Sequence, residues 1–164
     1  MMTLLLVFLS IVSGSHIRIA PPDEPGQRLV LTGHVVDAHG RPAPNVEIYA
    51  YHTDAQGLYR RDRYVPDWPS RPPRLQGTLR TAADGSYEID TIVPAPYPSR
   101  NNPAHIHFHV RGQAEILWFE GDPLLRYATQ RPPGDGTFAS VRPLVRDKQG
   151  VAHCTRDFRL KDAR

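Results

Sequence analysis

The chain has 164 residues, of which 17 are proline and 12 are glycine, and 40% are hydrophobic. Proline is excluded from helix interiors and central strands, so this composition excludes a coiled coil or long-helix protein, and the hydrophobic content excludes a disordered chain. The formal charge is +3, with 18 arginines and two lysines spread along the sequence among 17 acidic residues, which predicts no nucleic-acid partner. The only cysteine, Cys154, excludes an intramolecular disulfide and any zinc site built from several cysteines.

The first residues differ in character from the rest of the chain. Residues 3–12 are nearly all apolar, too short a run to span a bilayer, and small residues follow them, a pattern typical of a secretory signal. The sequence therefore predicts a signal peptide over 1–20, a proline-rich linker over 21–28, and export to the periplasm or the medium. The run lacks a positively charged segment before it, which leaves a cytoplasmic location as the alternative. No cysteine follows the run, so we expect no stable membrane anchoring.

Short β-type segments follow from residue 29, separated by turns rich in glycine, proline and aspartate. Two long proline-rich stretches interrupt them, at 53–76 and 93–103. No internal repeat and no sustained helical periodicity is present. The pattern predicts one domain over 29–164, an all-β, single-domain antiparallel β-sandwich with long proline-rich loops. The strands are predicted at 29–37, 46–52, 77–81, 87–92, 104–110, 116–119, 141–145 and 155–160.

One predicted strand carries three histidines at alternate positions, His105, His107 and His109. Alternate residues of a strand point to the same face, so these imidazoles share a face and two of them can reach one metal ion. Imidazole binds zinc, copper, iron and nickel, so the histidines alone do not identify the metal. The alternative interpretation is an exposed strand face with titrating histidines.

Two tyrosines stand in the predicted loops and not in strands. Tyr59 follows Gln56-Gly57-Leu58, and Tyr97 lies between Pro96 and Pro98, which restrict its backbone. Such a residue is suited to act as a positioned ligand, although packing of aromatic side chains under loops is the alternative for each tyrosine taken alone.

Taken together, these segments resemble the intradiol ring-cleavage dioxygenases, the group that includes protocatechuate and catechol dioxygenases. The resemblance is carried by an ordered set of segments that runs from about residue 29 to 110, and more weakly by the strand around 157–160. Its opening strand also resembles transthyretin-like modules, so a non-enzymatic binding module is the alternative. The segments are Gly33 to Ile48, Gly57-Leu58-Tyr59, Thr81 to Tyr87, Thr91 to Pro98, and Pro103 to Phe108.

The resemblance implies a mononuclear non-haem iron(III) site with Tyr59, Tyr97, His105 and His107 as its ligands. It implies that a catechol binds as the dianion, displaces one tyrosinate, expected to be Tyr59, and reacts with O2 to give a cis,cis-muconate-type diacid. Two phenolates favour iron(III) over iron(II), and the site should lose iron in acid because its ligands must be deprotonated.

One position departs from the family pattern. Members commonly have an arginine three residues before the first histidine ligand, where this chain has Asn102. Arg100 lies nearby, and we expect it to supply the missing cation as a catalytic and substrate-binding residue. Tyr64 and Trp68 are the other candidates for the substrate pocket. A metal-binding homologue that has lost its activity is therefore a third interpretation. The resemblance does not name the catechol, and it leaves a homo-oligomer open.

Overall fold

A computed structural model of the protein describes residues 15–60, 72–98, 101–128, 132 and 134–162. Eleven β-strands and two short 3-10 helices (Pro123–Tyr127 and Gly136–Phe138) form the described part of the chain. The strands are β1 (His16–Arg18), β2 (Arg28–Val36), β3 (Glu47–His52), β4 (Leu75–Arg80), β5 (Ser86–Ile92), β6 (His105–Val110), β7 (Gln113–Phe119), β8 (Val141–Arg142), β9 (Val145–Arg146), β10 (Ala152–Thr155) and β11 (Phe158–Arg159).

The strands form two sheets. One sheet has the order β1-β5-β2-β10-β9, with β11 also paired to β2, and the other has the order β4-β3-β6-β7-β8. The long neighbours β2/β5, β3/β4, β3/β6 and β6/β7 are antiparallel. Short strands add parallel pairs at β1/β5, β2/β10, β2/β11 and β7/β8. The predicted all-β sandwich is confirmed, and the parallel pairs are a feature that the sequence pattern did not indicate.

Alternation along the strands decides which residues fill the space between the sheets. In β2, Leu29, Leu31 and Val35 are fully buried, whereas Val30, Thr32 and His34 on the other face are more exposed. In β6, the buried core residues are Ile106, Phe108 and Val110. Because successive residues of a strand face opposite sides, the three histidines of β6 lie on the face directed away from this core. The three histidines therefore form a row on the outer face of the second sheet.

The chain before residue 29 takes part in the sandwich. β1 pairs in parallel with β5, and Ile19 and Ala20 belong to the buried core. Glu24, in the predicted linker, is also buried. The signal peptide predicted over 1–20 stays a prediction, and the residues from His16 to Ala20, at its predicted end, pack in the sandwich. No helix in the described ranges is long and apolar enough to cross a bilayer.

Candidate metal centre

The structure brings all four predicted metal ligands together. The hydroxyl oxygens of Tyr59 and Tyr97 are 2.6 Å apart, and the Tyr97 oxygen lies 3.2 Å from Nε2 of His105. That nitrogen is in turn 2.9 Å from Nε2 of His107. Ligands that each lie about 2 Å from one ion are about 3 Å from their neighbours, so these distances suit donors of a single metal ion.

Strand β6 fixes the two imidazoles. His105 and His107 are two residues apart on one strand face, and their rings meet edge to face with centroids 4.6 Å apart. Nδ1 of His105 lies 2.7 Å from the carbonyl oxygen of Pro103, so that nitrogen carries the proton and donates to the carbonyl. Nε2 of His105 therefore carries the lone pair, and it faces the Tyr97 hydroxyl and Nε2 of His107.

Tyr59 stands directly after a tight turn. The Asp54 carboxylate accepts hydrogen bonds from the backbone N–H groups of Gln56 (2.9 Å) and Leu58 (3.0 Å), which is an aspartate-capped turn. Gly57 within it has φ of +80°, a conformation that glycine adopts without strain. This turn follows β3 and places the Tyr59 hydroxyl beside that of Tyr97.

The Tyr97 loop is attached to the same turn. The Thr53 hydroxyl donates to the Ala95 carbonyl at 2.7 Å, and the Ala95 N–H donates to the Asp54 carbonyl at 3.1 Å. A Cβ atom on Gly57 would lie 2.1 Å from the carbonyl oxygen of Pro96. The two loops thus approach so closely that only glycine fits, and this contact, together with the prolines, holds the two phenols side by side.

Tyr51 is a site residue that sequence reasoning missed. It is the direct cross-strand partner of His107, and the two rings stack with centroids 4.7 Å apart and planes 14° apart. Its ring also lies 6.0 Å from that of Tyr59, and only 2% of the residue is exposed. The strand alternation 46–52 places Tyr51 on the face opposite to the core, and the pairing of β3 with β6, which the sequence does not show, puts it against a ligand.

Burial keeps Tyr59, His105 and His107 neutral when no metal is bound. It lowers the pKa of His107 to about 3, with the neighbouring imidazoles of His105 and His109 adding to the effect, and it lowers the pKa of His105. Burial, and then the hydrogen bond to Tyr97, raises the pKa of Tyr59 well above its usual range. The imidazoles are therefore ready to donate lone pairs at neutral pH, whereas a phenol must lose a proton to become an anionic ligand.

The donor set fits a ferric ion. In the described residues no group of three or more His, Cys, Asp or Glu side chains forms a metal site, so the phenol oxygens are needed to complete one. Two phenolates are hard anionic oxygen donors that favour iron(III) over iron(II), and two neutral imidazoles complete the set. The enclosed position of Tyr59 and His105 limits access of water to these donors.

The other predicted site residues lie outside the described residues: Arg100, Tyr64 and Trp68. Asn102 is described and is partly buried, three residues before His105. The backbone N–H of Ala104 donates to the Asp122 carboxylate at 2.8 Å, so a carboxylate fixes the chain just before the first predicted histidine ligand. That anchor residue was not predicted, because it comes from a distant turn.

The fold and the site define a class, a β-sandwich protein with a two-tyrosine, two-histidine donor set on the outer face of one sheet. The sequence profile of a family described as Dioxygenase matches residues 12–131, more than half of the chain. The chain therefore belongs to the intradiol ring-cleavage dioxygenases, a family of oxidoreductases, as the sequence resemblance predicted.

Two relatives illustrate the degree of similarity. The chain is 36% identical over 114 residues to the protocatechuate 3,4-dioxygenase beta chain of Burkholderia cepacia, covering 62% of this chain and 48% of that protein. It is 31% identical over 156 residues to catechol 1,2-dioxygenase 1 of Acinetobacter lwoffii, covering 80% of this chain and 47% of that one. The chain thus spans about half the length of these curated relatives.

Solved structures share the fold. The dioxygenase domain of a dioxygenase carbohydrate-binding protein fusion from Streptomyces sp. SirexAA-E is similar with a TM-score of 0.70 at 24% identity, covering 89% of this chain and 87% of that one. Catechol 1,2-dioxygenase from Acinetobacter sp. ADP1 is similar with a TM-score of 0.72 at 22% identity, covering 90% of this chain and 57% of that one. At these identities the likeness shows the sandwich architecture alone.

Proposed function

We propose that this protein is an iron(III)-dependent intradiol dioxygenase that cleaves a catechol between its two hydroxylated carbons, with O2, to a cis,cis-muconate-type diacid. The observation that carries the proposal is the convergence of Tyr59, Tyr97, His105 and His107, whose donor atoms follow one another at 2.6, 3.2 and 2.9 Å. The names of the relatives, which include catechol, chlorocatechol and hydroxyquinol 1,2-dioxygenases, support a catechol-type substrate.

Bound ferric ion would act as a Lewis acid that holds the two catechol oxygens and activates the ring toward O2. The residues of this chain orient the donors and move protons. His105 keeps its donor nitrogen directed at the site through the hydrogen bond to the Pro103 carbonyl. Tyr51 holds the ring plane of His107 by stacking. Neither role requires either histidine to change protonation state.

The two phenols differ in burial, and we infer different roles for them. Tyr59 is 7% exposed and its ring lies near that of Tyr51, whereas Tyr97 is only half-buried. This difference favours Tyr97, and not Tyr59 as the resemblance implied, as the phenol that gives way to substrate and accepts a catechol proton. Tyr59 would stay in place throughout.

This assignment predicts the behaviour of two variants. Tyr97→Phe removes the proton acceptor, so kcat should fall by about 10²-fold or more while a ferric ion still binds. Tyr59→Phe removes the enclosed ligand and should instead weaken ferric binding itself. Steady-state kinetics and iron content of both variants check the prediction. A Tyr97→Phe enzyme with unchanged kcat would contradict it.

A second function is favoured by one observation, the asparagine at position 102. Loss of a charge preorganised to stabilise the transition state costs about 10²–10³-fold in rate. If Arg100 does not supply that charge, the protein would bind the metal ion but would not turn over a catechol. Comparison of Arg100→Ala with the unchanged protein separates the two functions, because only the enzyme has a rate to lose.

Oxygen uptake provides the test of the proposed function. The ferric protein should consume O2 in equal amount with catechol or protocatechuate and give the muconate-type diacid. Formation of a 2-hydroxymuconic semialdehyde would show cleavage beside the diol and contradict the assignment. Binding of ferric ion without O2 uptake by any catechol would support the metal-binding function instead.

A further inference from the structure

A buried ion pair lies behind the Tyr59 turn and outside the donor set. Both Nη atoms of Arg74 donate to the carboxylate of Glu24, at 2.6 and 2.7 Å. Only 2% of the Glu24 side chain and 27% of the Arg74 side chain are exposed. A bidentate pair of this kind fixes the position of both groups, and the neighbouring carboxylates raise the pKa of Arg74, so the guanidinium stays charged.

Arg74 connects this pair to the Tyr59 turn in two ways. Its Nη2 atom is 3.4 Å from Oδ2 of Asp54, whose other oxygen caps the turn through Gln56 and Leu58. Its backbone N–H donates to the carbonyl oxygen of Tyr59 at 2.9 Å. One residue thus holds both the start of the turn and the ligand residue at its end.

Glu24 brings a separate part of the chain into this arrangement. It lies 50 residues from Arg74 in the sequence, in the segment between β1 and β2. Its backbone N–H donates to the Pro21 carbonyl at 3.0 Å, so a turn presents its carboxylate. The segment that is predicted as a linker from the sequence therefore supplies a carboxylate that stands behind a metal ligand.

We propose that the Glu24–Arg74 ion pair is a positioning device for Tyr59 that sets the affinity of the site for its metal ion. The proposal rests on the proposed function, since it takes Tyr59 as a ligand. Partners beyond the ligands of a metal site typically change affinity by about 10–100-fold when they are removed. Neither residue belongs to the donor set, so both act as positioning residues.

Ferric ion, added in competition with citrate, is the probe of affinity. Arg74→Lys keeps the charge but loses the two-pronged contact, and Glu24→Gln removes the charge; each should weaken ferric binding by about 10–100-fold. Because Glu24→Gln removes the charged partner of a partly buried arginine and leaves it only the longer contact to Asp54, it risks destabilising the fold, and Arg74→Lys is the second, milder variant. Amide hydrogen exchange at Leu58 and Arg74 should also be faster in both variants.

Two controls separate positioning from general destabilisation. Glu47→Gln removes a half-exposed ion pair to Arg80, which lies on the sheet that also carries His105 and His107. This variant should leave ferric affinity unchanged. Leu31→Ala, in the core of the other sheet, lowers Tm without touching the Tyr59 turn and should also leave it unchanged. If Arg74→Lys lowers ferric affinity no more than Leu31→Ala does, the proposal is overturned.

The hydrogen-exchange result keeps this proposal distinct from the proposed function. If the unchanged protein binds no ferric ion, the proposed function fails, and the ion pair is judged by exchange alone. Faster exchange at Leu58 and Arg74 in the variants would then still support a positioning role for the pair. Unchanged exchange at these amides would overturn it.

Discussion

At the residue scale, His52 shows how a fully buried imidazole is held neutral. Its Nδ1 lies 2.7 Å from the carbonyl oxygen of Thr53 and therefore carries the proton, and its Nε2 accepts from the Thr91 hydroxyl at 2.7 Å. Both ring nitrogens are therefore satisfied in the neutral form. Burial lowers the pKa of His52 from 6.5 to about 4.

This shift predicts a pH-dependent loss of stability. Between pH 6.5 and about 4 the unfolded chain binds a proton at His52 that the folded chain does not, so the free energy of unfolding falls as pH falls. His52 does not lower the free energy of unfolding above pH 6.5. By pH 4 its preferred protonation in the unfolded chain lowers that free energy by about 3 kcal/mol. Urea unfolding of the protein and of His52→Gln at several pH values measures it. Parallel pH profiles for the two proteins would contradict the prediction.

At the element scale, the approach of the Gly57 turn to the Tyr97 loop decides whether the two phenols meet. Gly57→Ala adds a Cβ atom 2.1 Å from the Pro96 carbonyl oxygen as well as backbone strain at φ +80°. The loops must separate, so we expect a loss of about 1–3 kcal/mol and weaker ferric binding. Thermal unfolding and ferric titration measure the two effects.

Gly121→Ala is the matched control for that variant. Gly121 has φ of +81°, and no atom lies within 4 Å of the position that a Cβ atom would take, so the substitution imposes the strain without the collision. We expect a similar backbone cost there and unchanged ferric binding. Equal ferric affinity of the Gly57 and Gly121 variants would show that the close approach does not position the phenols.

The strands that the sequence predicted are those whose alternation of apolar and polar residues is visible within one short segment. Alternation predicted the strands that carry Ile48 and His107, and residue order with family resemblance predicted the four candidate ligands that the structure brings together. Contacts between residues that are far apart in the sequence were not predicted, because they depend on which strands and segments pair in the fold. The stacking of Tyr51 on His107 needs the register of β3 and β6. The Glu24–Arg74 pair joins residues 50 apart, and neither has a local signal of burial.

At the scale of the whole molecule, the N-terminal segment joins the two sheets to the site. β1 extends the first sheet, Ile19 and Ala20 enter the core, and Glu24 reaches the Tyr59 turn through Arg74. We propose that the protein is exported and that its leader ends before His16, so that β1 stays in the mature chain. Determination of the mature N-terminus tests this directly.

The same segment gives a stability prediction. A chain that begins at Pro21 loses β1 and the buried side chain of Ile19, which should cost about 3 kcal/mol. For a domain of this size the loss lowers Tm by roughly 10 °C. A chain that begins at Ser15 keeps β1 and should unfold at the temperature of the longer form. Equal Tm values for the two truncated chains would show that β1 does not contribute to the sandwich.

The central claim is that Tyr59, Tyr97, His105 and His107 together hold one ferric ion, and a visible-absorption titration of the metal-free protein tests it most directly. The predicted result is a wine-red tyrosinate-to-iron band that saturates at about one equivalent of ferric ion, is absent from a Tyr59→Phe, Tyr97→Phe double variant, and is weakened in His107→Ala. A protein that stays colourless with ferric ion, or a band that survives loss of both tyrosines, would contradict the assignment of this site.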